Sequence, residues 1–358
     1  MKKLVLFSLL LAAMVIILGA YTRLTDAGLG CPDWPGCYGN LTVPLTEDKV
    51  EAANNAYPDR PVQAHKAWNE MIHRYFAGLL GLCILAIAII AVKQRGSGKP
   101  LKLPLLLLAL VVFQAALGMW TVTLNLLPVV VMGHLLGGFS VLACLLLLYL
   151  SVRRKEMALP LSTSHNPDSH EVVSQTGGNE RISITKLKVF AYIGLAILVV
   201  QIALGGWTSA NYAALACTEL PVCEDGWQSR LDFSGAYSVP EAQNYEYGAH
   251  DYDERATMHI VHRFGALVTF VYLFVLAICW LRNRMLPASI KHGCLFMLSV
   301  LCLQVVLGIS NVLFSLPLFV AVMHNAVAAM LLLSLIWLTW SVNVLTPSYS
   351  YLNGGHHG

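Results

Sequence analysis

Glu70-Met71-Ile72-His73-Arg74 opens an apolar run that reaches about Val92, and its His-Arg pair returns 189 residues later as His262-Arg263. Imidazole, carboxylate and guanidinium are all costly in hydrocarbon, so such groups inside an apolar run read as functional. The chain around them is built for a bilayer. Of 358 residues, 57% are hydrophobic and 12% charged, with a mean hydropathy of +0.63, which excludes an ordinary soluble domain. Eight apolar runs are long enough to span, at roughly 3–22, 68–93, 103–124, 128–152, 186–209, 256–281, 290–313 and 317–344. Lys2, Lys3, Lys93, Arg95, Lys99, Lys102, Arg153, Arg154, Lys155, Arg282, Arg284 and Lys291 fall on one side of these runs. The long segments on the other side, about 23–67 and 210–255, are rich in acids such as Asp33, Glu47, Glu224 and Asp253. The positive-inside rule therefore places both termini in the cytoplasm and the two long loops outside. Met1 to Ala20 mimics a signal peptide, but Leu18 stands where a cleavage site wants a small residue, so the segment reads as a retained first span.

The echo extends well beyond His-Arg. Gln114-Ala-Ala-Leu-Gly118 returns as Gln304-Val-Val-Leu-Gly308, and His134 as His324, both at an offset of 190. Cys31 and Cys37 return as Cys217 and Cys223 at an offset of 186. Ordered matches near one offset mark a duplicated unit. Because each unit holds an even number of spans, the two keep one orientation and form parallel repeats about the membrane normal. The expectation is an all-α integral membrane protein: eight transmembrane helices in two tandem four-helix bundles related by a pseudo-two-fold along the normal. The N-terminal half covers residues 1–152, a polar cytoplasmic linker 153–185, the C-terminal half 186–345 and a tail 346–358. The linker carries Gly177-Gly178, His165 and His170, and the tail His356 and His357; these histidines read as solvated bystanders.

Topology converts position into depth. His73, His134, His262 and His324 each lie about five to seven residues inside a span that enters from the loop side, roughly 8 to 10 Å at the helical rise. One buried histidine is usually a packing residue; four matched in depth and paired by a repeat are not. Two imidazoles on facing helices of an apolar bundle suit bis-histidine haem ligation, His73 with His134 and His262 with His324. Zinc fits less well, because no cysteine or carboxylate joins the histidines at ligand spacing. Arg74 and Arg263 follow the histidines, and two readings stay open: pairing with haem propionates, or interfacial snorkelling. Gly78, Gly81, Gly137, Gly138 and Gly265 either leave room for a ring or let helices pack closely. Glu70 stands one turn before His73, where the other half has His259. That difference points to chemistry in the first half and electron transfer in the second, the plainer alternative being an interfacial Glu70. Cys31/Cys37 and Cys217/Cys223 read as structural disulfides, with a redox role for one pair as the alternative.

Thr22-Arg-Leu-Thr-Asp-Ala-Gly-Leu-Gly-Cys31-Pro-Asp-Trp-Pro-Gly-Cys37 resembles the loop signature of the haem A synthase family, and Glu70-Met-Ile-His-Arg74 its ExxHR motif. The resemblance runs through all eight spans. It implies oxidation of the C8 methyl of haem O to a formyl group, by successive hydroxylations and loss of water from the geminal diol. It further implies that His73 and His134 hold the substrate haem iron, that His262 and His324 ligate a haem b cofactor, and that Glu70 is the acidic residue beside the substrate. Cysteine content varies in the family. Implied partners are haem O, the lipid bilayer, a haem O synthase, an electron acceptor and a further copy of the chain, without nucleic acid. No Arg- and Ser-rich transit segment opens the sequence, so the expected location is the bacterial plasma membrane. Two rival functions are a di-haem b-type membrane cytochrome for electron transfer and a haem transporter or chaperone.

Overall fold

The computed structural model describes residues 1–96, 100–158, 177–284 and 286–344; the bystander histidines of the linker and tail lie outside them. Among the described residues the regular structure is helical: α1 (Lys2–Leu24), α2 (Glu47–Ala56), α3 (Ala64–Lys93), α4 (Lys102–Thr123), α5 (Pro128–Ala158), α6 (Gly177–Ala210), α7 (Phe233–Ala236), α8 (Tyr252–Arg282), α9 (Ala288–Leu313) and α10 (Leu318–Val344). Eight of them are long and apolar enough to cross a membrane, all but α2 and α7, and the chain is a multi-pass membrane protein. Helix α5 runs on to Ala158 and α6 begins at Gly177, so both enter the segment that the sequence reads as linker. Once a span has nucleated a helix, each added residue gains a hydrogen bond, which carries the helix beyond the apolar run.

Helices α1, α3, α4 and α5 pack in a closed ring, each against the next, and α6, α8, α9 and α10 form a second ring. The rings meet through α1 with α10, α5 with α6, and α5 with α10. Exchanging α1 with α6, α3 with α8, α4 with α9 and α5 with α10 turns this set of contacts into itself. Half of the apolar window of α10 and 39% of that of α5 are buried inside the protein, against 22–28% for the other spans, so these two helices form the centre. Around them Leu142, Leu145, Leu148, Leu331, Leu335 and Met297 are among the fully buried core residues. The outer faces stay apolar, as with Leu82, Val112, Phe113 and Val306, which suits a lipid solvent.

One cap closes the loop-side end of all four helices that lead into it. The N–H groups of Ala27, Leu126, Ala213 and Leu316 reach back five residues to the carbonyls of Thr22, Thr121, Thr208 and Asn311, at 3.0, 2.8, 2.9 and 2.7 Å. A left-handed residue makes each reversal, Asp26, Tyr212, or the pairs Asn125-Leu126 and Ser315-Leu316. Pro128 then opens α5 directly, where its missing N–H costs nothing. Asn125 also joins the halves: it accepts from Arg60 at 2.5 Å, donates to the Gln243 carbonyl at 2.8 Å, and its own carbonyl takes the Tyr245 N–H at 3.0 Å. Asn125→Ala loses both side-chain bonds at a φ of 50°. It is expected to lower stability by about 1–3 kcal/mol in a thermal unfolding assay. Arg23 makes a second tie, donating to the Ser209 carbonyl at 2.7 Å with its guanidinium 3.8 Å above the Tyr212 ring.

Candidate haem-binding sites

All four histidines sit near the loop-side ends of their helices, on α3, α5, α8 and α10. The His73 and His134 rings meet edge to face, with centroids 6.4 Å apart and planes at 86°. His262 on α8 and His324 on α10 both belong to the second ring of helices. Among the described residues no three His, Cys, Asp or Glu side chains gather as metal ligands, so the imidazoles come in pairs. Each ring rests on a glycine of the preceding span. A Cβ at Gly19 would stand 3.0 Å from Cε1 of His73, at Gly118 3.4 Å from His134, at Gly205 2.9 Å from His262, and at Gly308 3.2 Å from His324. The rings are therefore pressed against bare backbone, edge inwards.

This arrangement can be tested for fit to a planar iron macrocycle. Two metal–imidazole bonds of about 2 Å, with roughly 1 Å from nitrogen to ring centre on each side, ask for centroids about 6 Å apart. The first pair meets that. The buried Nδ1 atoms of His73, His134 and His324 have no hydrogen-bond partner in the protein, while the Nε2 of His324 meets the Gln304 amide at 3.3 Å. The residues present fit haem. Gly205→Val is expected to push the His262 ring aside and to remove haem from that half, read as haem per chain by pigment assay. Gly78→Val should leave haem content unchanged, because nothing lies within 4 Å of a Cβ there.

The groups beside the histidines bind the loops. Glu70 is 4% exposed; its Oε2 accepts from the Cys31 N–H at 2.8 Å and its Oε1 pairs with Arg74. Arg74 also donates to the carbonyls of Asp33 at 3.0 Å and Gly36 at 2.5 Å, so carboxylate and guanidinium together fasten the loop closed by Cys31–Cys37. Inside that loop Asp33 accepts from the N–H groups of Tyr38 and Gly39. Burial first, then the Glu70 charge, raises the Tyr38 hydroxyl above its ordinary pKa.

The second half repeats this clamp with one change. Arg263 donates to the carbonyls of Glu219 and Cys217 at 2.7 and 2.6 Å, on the loop closed by Cys217–Cys223. His259 replaces the carboxylate: the Cys217 N–H approaches its Nδ1 and the Arg263 Nε its Nε2, both at 3.3 Å. A neutral imidazole has one acceptor nitrogen, so it answers only one of these donors, whereas Glu70 answers both. Farther out, Glu224 is held well below the usual carboxylate range, at about 2, first by the Tyr252 hydroxyl and then by its own backbone and Arg230.

Sequence reasoning placed all four histidines and Glu70 but missed the supporting glycines. Of the five glycines it singled out, Gly78 and Gly81 face open space, while Gly137 and Gly265 receive the Gln114 and Gln201 amides. A usable signal was present. Val15-Ile-Ile-Leu-Gly19, Gln114-Ala-Ala-Leu-Gly118, Gln201-Ile-Ala-Leu-Gly205 and Gln304-Val-Val-Leu-Gly308 repeat one Leu-Gly pattern four times, each followed three residues later by the Thr or Asn that takes the cap. The second and fourth copies stand out at an offset of 190 because both open on glutamine, whereas the first and third, 186 apart, differ at Val15 and Gln201.

Comparison with known proteins agrees with this architecture. Residues 2–336 match the family COX15-CtaA, cytochrome oxidase assembly protein. The chain is 46% identical to the haem A synthase of Shewanella oneidensis over 93% of this chain and 94% of that one. It is 24% identical to the haem A synthase of Nitrosospira multiformis over 92% and 89% of the two chains. To that of Caulobacter sp. it is 25% identical, over 94% and 93%. The chain belongs to the COX15-CtaA family of cytochrome oxidase assembly proteins.

Proposed function

We propose that this protein is a haem A synthase, an oxidoreductase that converts the C8 methyl of haem O into a formyl group. The observation that carries the reading is the His73–His134 pair, 6.4 Å between centroids, in the half whose neighbouring turn bears a carboxylate. The names of the related proteins support it. His73 and His134 hold the substrate haem by its iron, and their helices hold the macrocycle in apolar surroundings. His262 and His324 hold a haem b, which supplies one-electron chemistry when bound. Glu70, one turn before His73, takes or hands on a proton at a carboxylate oxygen. Its fixing by Arg74 and the Cys31 N–H sets the position of that oxygen. The loop closed by Cys31–Cys37 shields this end of the helices from water. Arg74 and Arg263 spend donors on loop carbonyls, so a haem propionate would share them.

The distribution of basic residues supports termini in the cytoplasm and cysteine loops outside, in a bacterial plasma membrane. A haem O synthase supplies the substrate, and an electron acceptor takes the reducing equivalents. Coexpression with a haem O supplier, followed by pigment extraction, tests the reading. Haem A in the extract is expected; haems B and O alone would overturn it, in favour of a carrier or transporter.

A further inference from the structure

The four-fold Leu-Gly pattern is broken at one residue. Gln114, Gln201 and Gln304 each stand four residues before the glycine that backs a histidine, and in α1 that place is taken by Val15. The break is matched across the helix interface. Gln201 lays its amide over Gly265, three residues after His262, where a Cβ would run into its Oε1. At the same distance after His73 stands Phe76, 189 residues before Gly265. The amide over glycine beside His262, which Gln114 and Gly137 repeat beside His134, thus becomes valine with phenylalanine beside His73, an exchange of a polar reach for apolar bulk.

The consequence falls on the rings. Nε2 of Gln201 lies 3.0 Å from Nδ1 of His262 and 3.0 Å from the His262 carbonyl, so this imidazole is held at Nδ1, and Nε2 is the nitrogen that would bind iron. Oε1 of Gln201 is buried without a partner. Exchanging the two ends of the amide offers that oxygen to Nδ1–H, in the tautomer whose Nε2 carries a free lone pair, and gives up the bond to the His262 carbonyl. His73 has no such side chain, and its buried Nδ1 has no hydrogen-bond partner. An imidazole fixed through Nδ1 keeps one orientation as a ligand; one with no side-chain partner at Nδ1 can swing away from a metal.

We propose that Gln201, seated on Gly265, is the positioning residue that makes His262 a permanent ligand, and that Val15 with Phe76 leaves His73 able to release its haem. The first half thereby exchanges substrate for product while the second retains its group. This rests on the reading that both imidazole pairs bind haem, and it reaches the division of labour without using Glu70.

Release of ferric haem b from the purified full chain in detergent, with excess apomyoglobin as acceptor, tests it without any turnover. Wild type is expected to lose haem in two phases, the fast one absent from His73→Ala. Gln201→Leu, similar in size but without the amide, should speed the slow phase about tenfold or more. Gln201→Glu restores an acceptor for Nδ1–H and should return the phase to near the wild-type rate. The reciprocal Val15→Gln, Phe76→Gly variant should slow the fast phase, and it decides the matter if Gln201→Leu does not fold. A slow phase unchanged in Gln201→Leu, or a fast phase unchanged in the reciprocal variant, overturns the proposal. Haem bound in both halves with equal release rates overturns this proposal alone. Haem bound in neither half overturns the haem reading with it.

Discussion

Glu70→Gln, coexpressed with a haem O supplier, is expected to keep its haem and its fold while haem A in the extract falls by about 10²–10⁴-fold. Glutamine has one carboxamide oxygen, which can still accept the Cys31 N–H now taken by Oε2, at the cost of the bond that Oε1 makes to Arg74. The Arg74 guanidinium keeps its loop carbonyls at Asp33 and Gly36, so the loop stays fastened. The change removes the group that can take up and hand on a proton. Alanine would be a poorer test, because it strips the Cys31 N–H of its acceptor and confuses loop opening with lost chemistry. Haem A at wild-type levels in Glu70→Gln would show that the carboxylate only ties the loop.

Arg74→Leu and Arg263→Leu should differ sharply in thermal unfolding, although both remove an arginine one residue after a histidine. Without Arg74, the Glu70 carboxylate stays buried with a single N–H partner, and breaking a buried pair in this way costs about 3–5 kcal/mol. Removal of Arg263 leaves no buried charge, because His259 is an imidazole with the Cys217 N–H still beside it. The loss there is that of charged hydrogen bonds to two carbonyls, about 1.5–3 kcal/mol. Combining Glu70→Leu with Arg74→Leu should recover part of the stability, since the orphaned charge goes with its partner. Equal losses from the two single variants, or no recovery in the double, would contradict the buried ion pair.

These two predictions lie where sequence reading ran short. Spans and their ends were legible because hydrocarbon thickness and charge placement write themselves into composition, and the eight helices fall close to the apolar runs. The histidines were legible because a duplication preserves depth. The direction of Arg74 and Arg263 was not. Sequence offered propionate or headgroup as the partner, yet each guanidinium found loop carbonyls, which depend on how a cysteine-closed loop folds back over a helix. Glu70 likewise reads as a free carboxylate one turn from His73, and the Cys31 N–H that holds it lies 39 residues away. The glycines behind the rings carry no chemistry of their own; their meaning comes from the side chain that a packed neighbour presses on them. The tie from Asn125 to Gln243 and Tyr245 joins two loops of different halves and left no periodic trace.

The account stands on two imidazole pairs, one in each ring of helices, each holding a haem near the loop-side end. Haem counted per chain on purified protein saturated with ferric haem, alongside His73→Ala and His262→Ala, tests that most directly. Two low-spin haems in wild type, with a different one lost or converted to high spin in each variant, are predicted. A single haem in wild type, or the same haem affected by both substitutions, would contradict it.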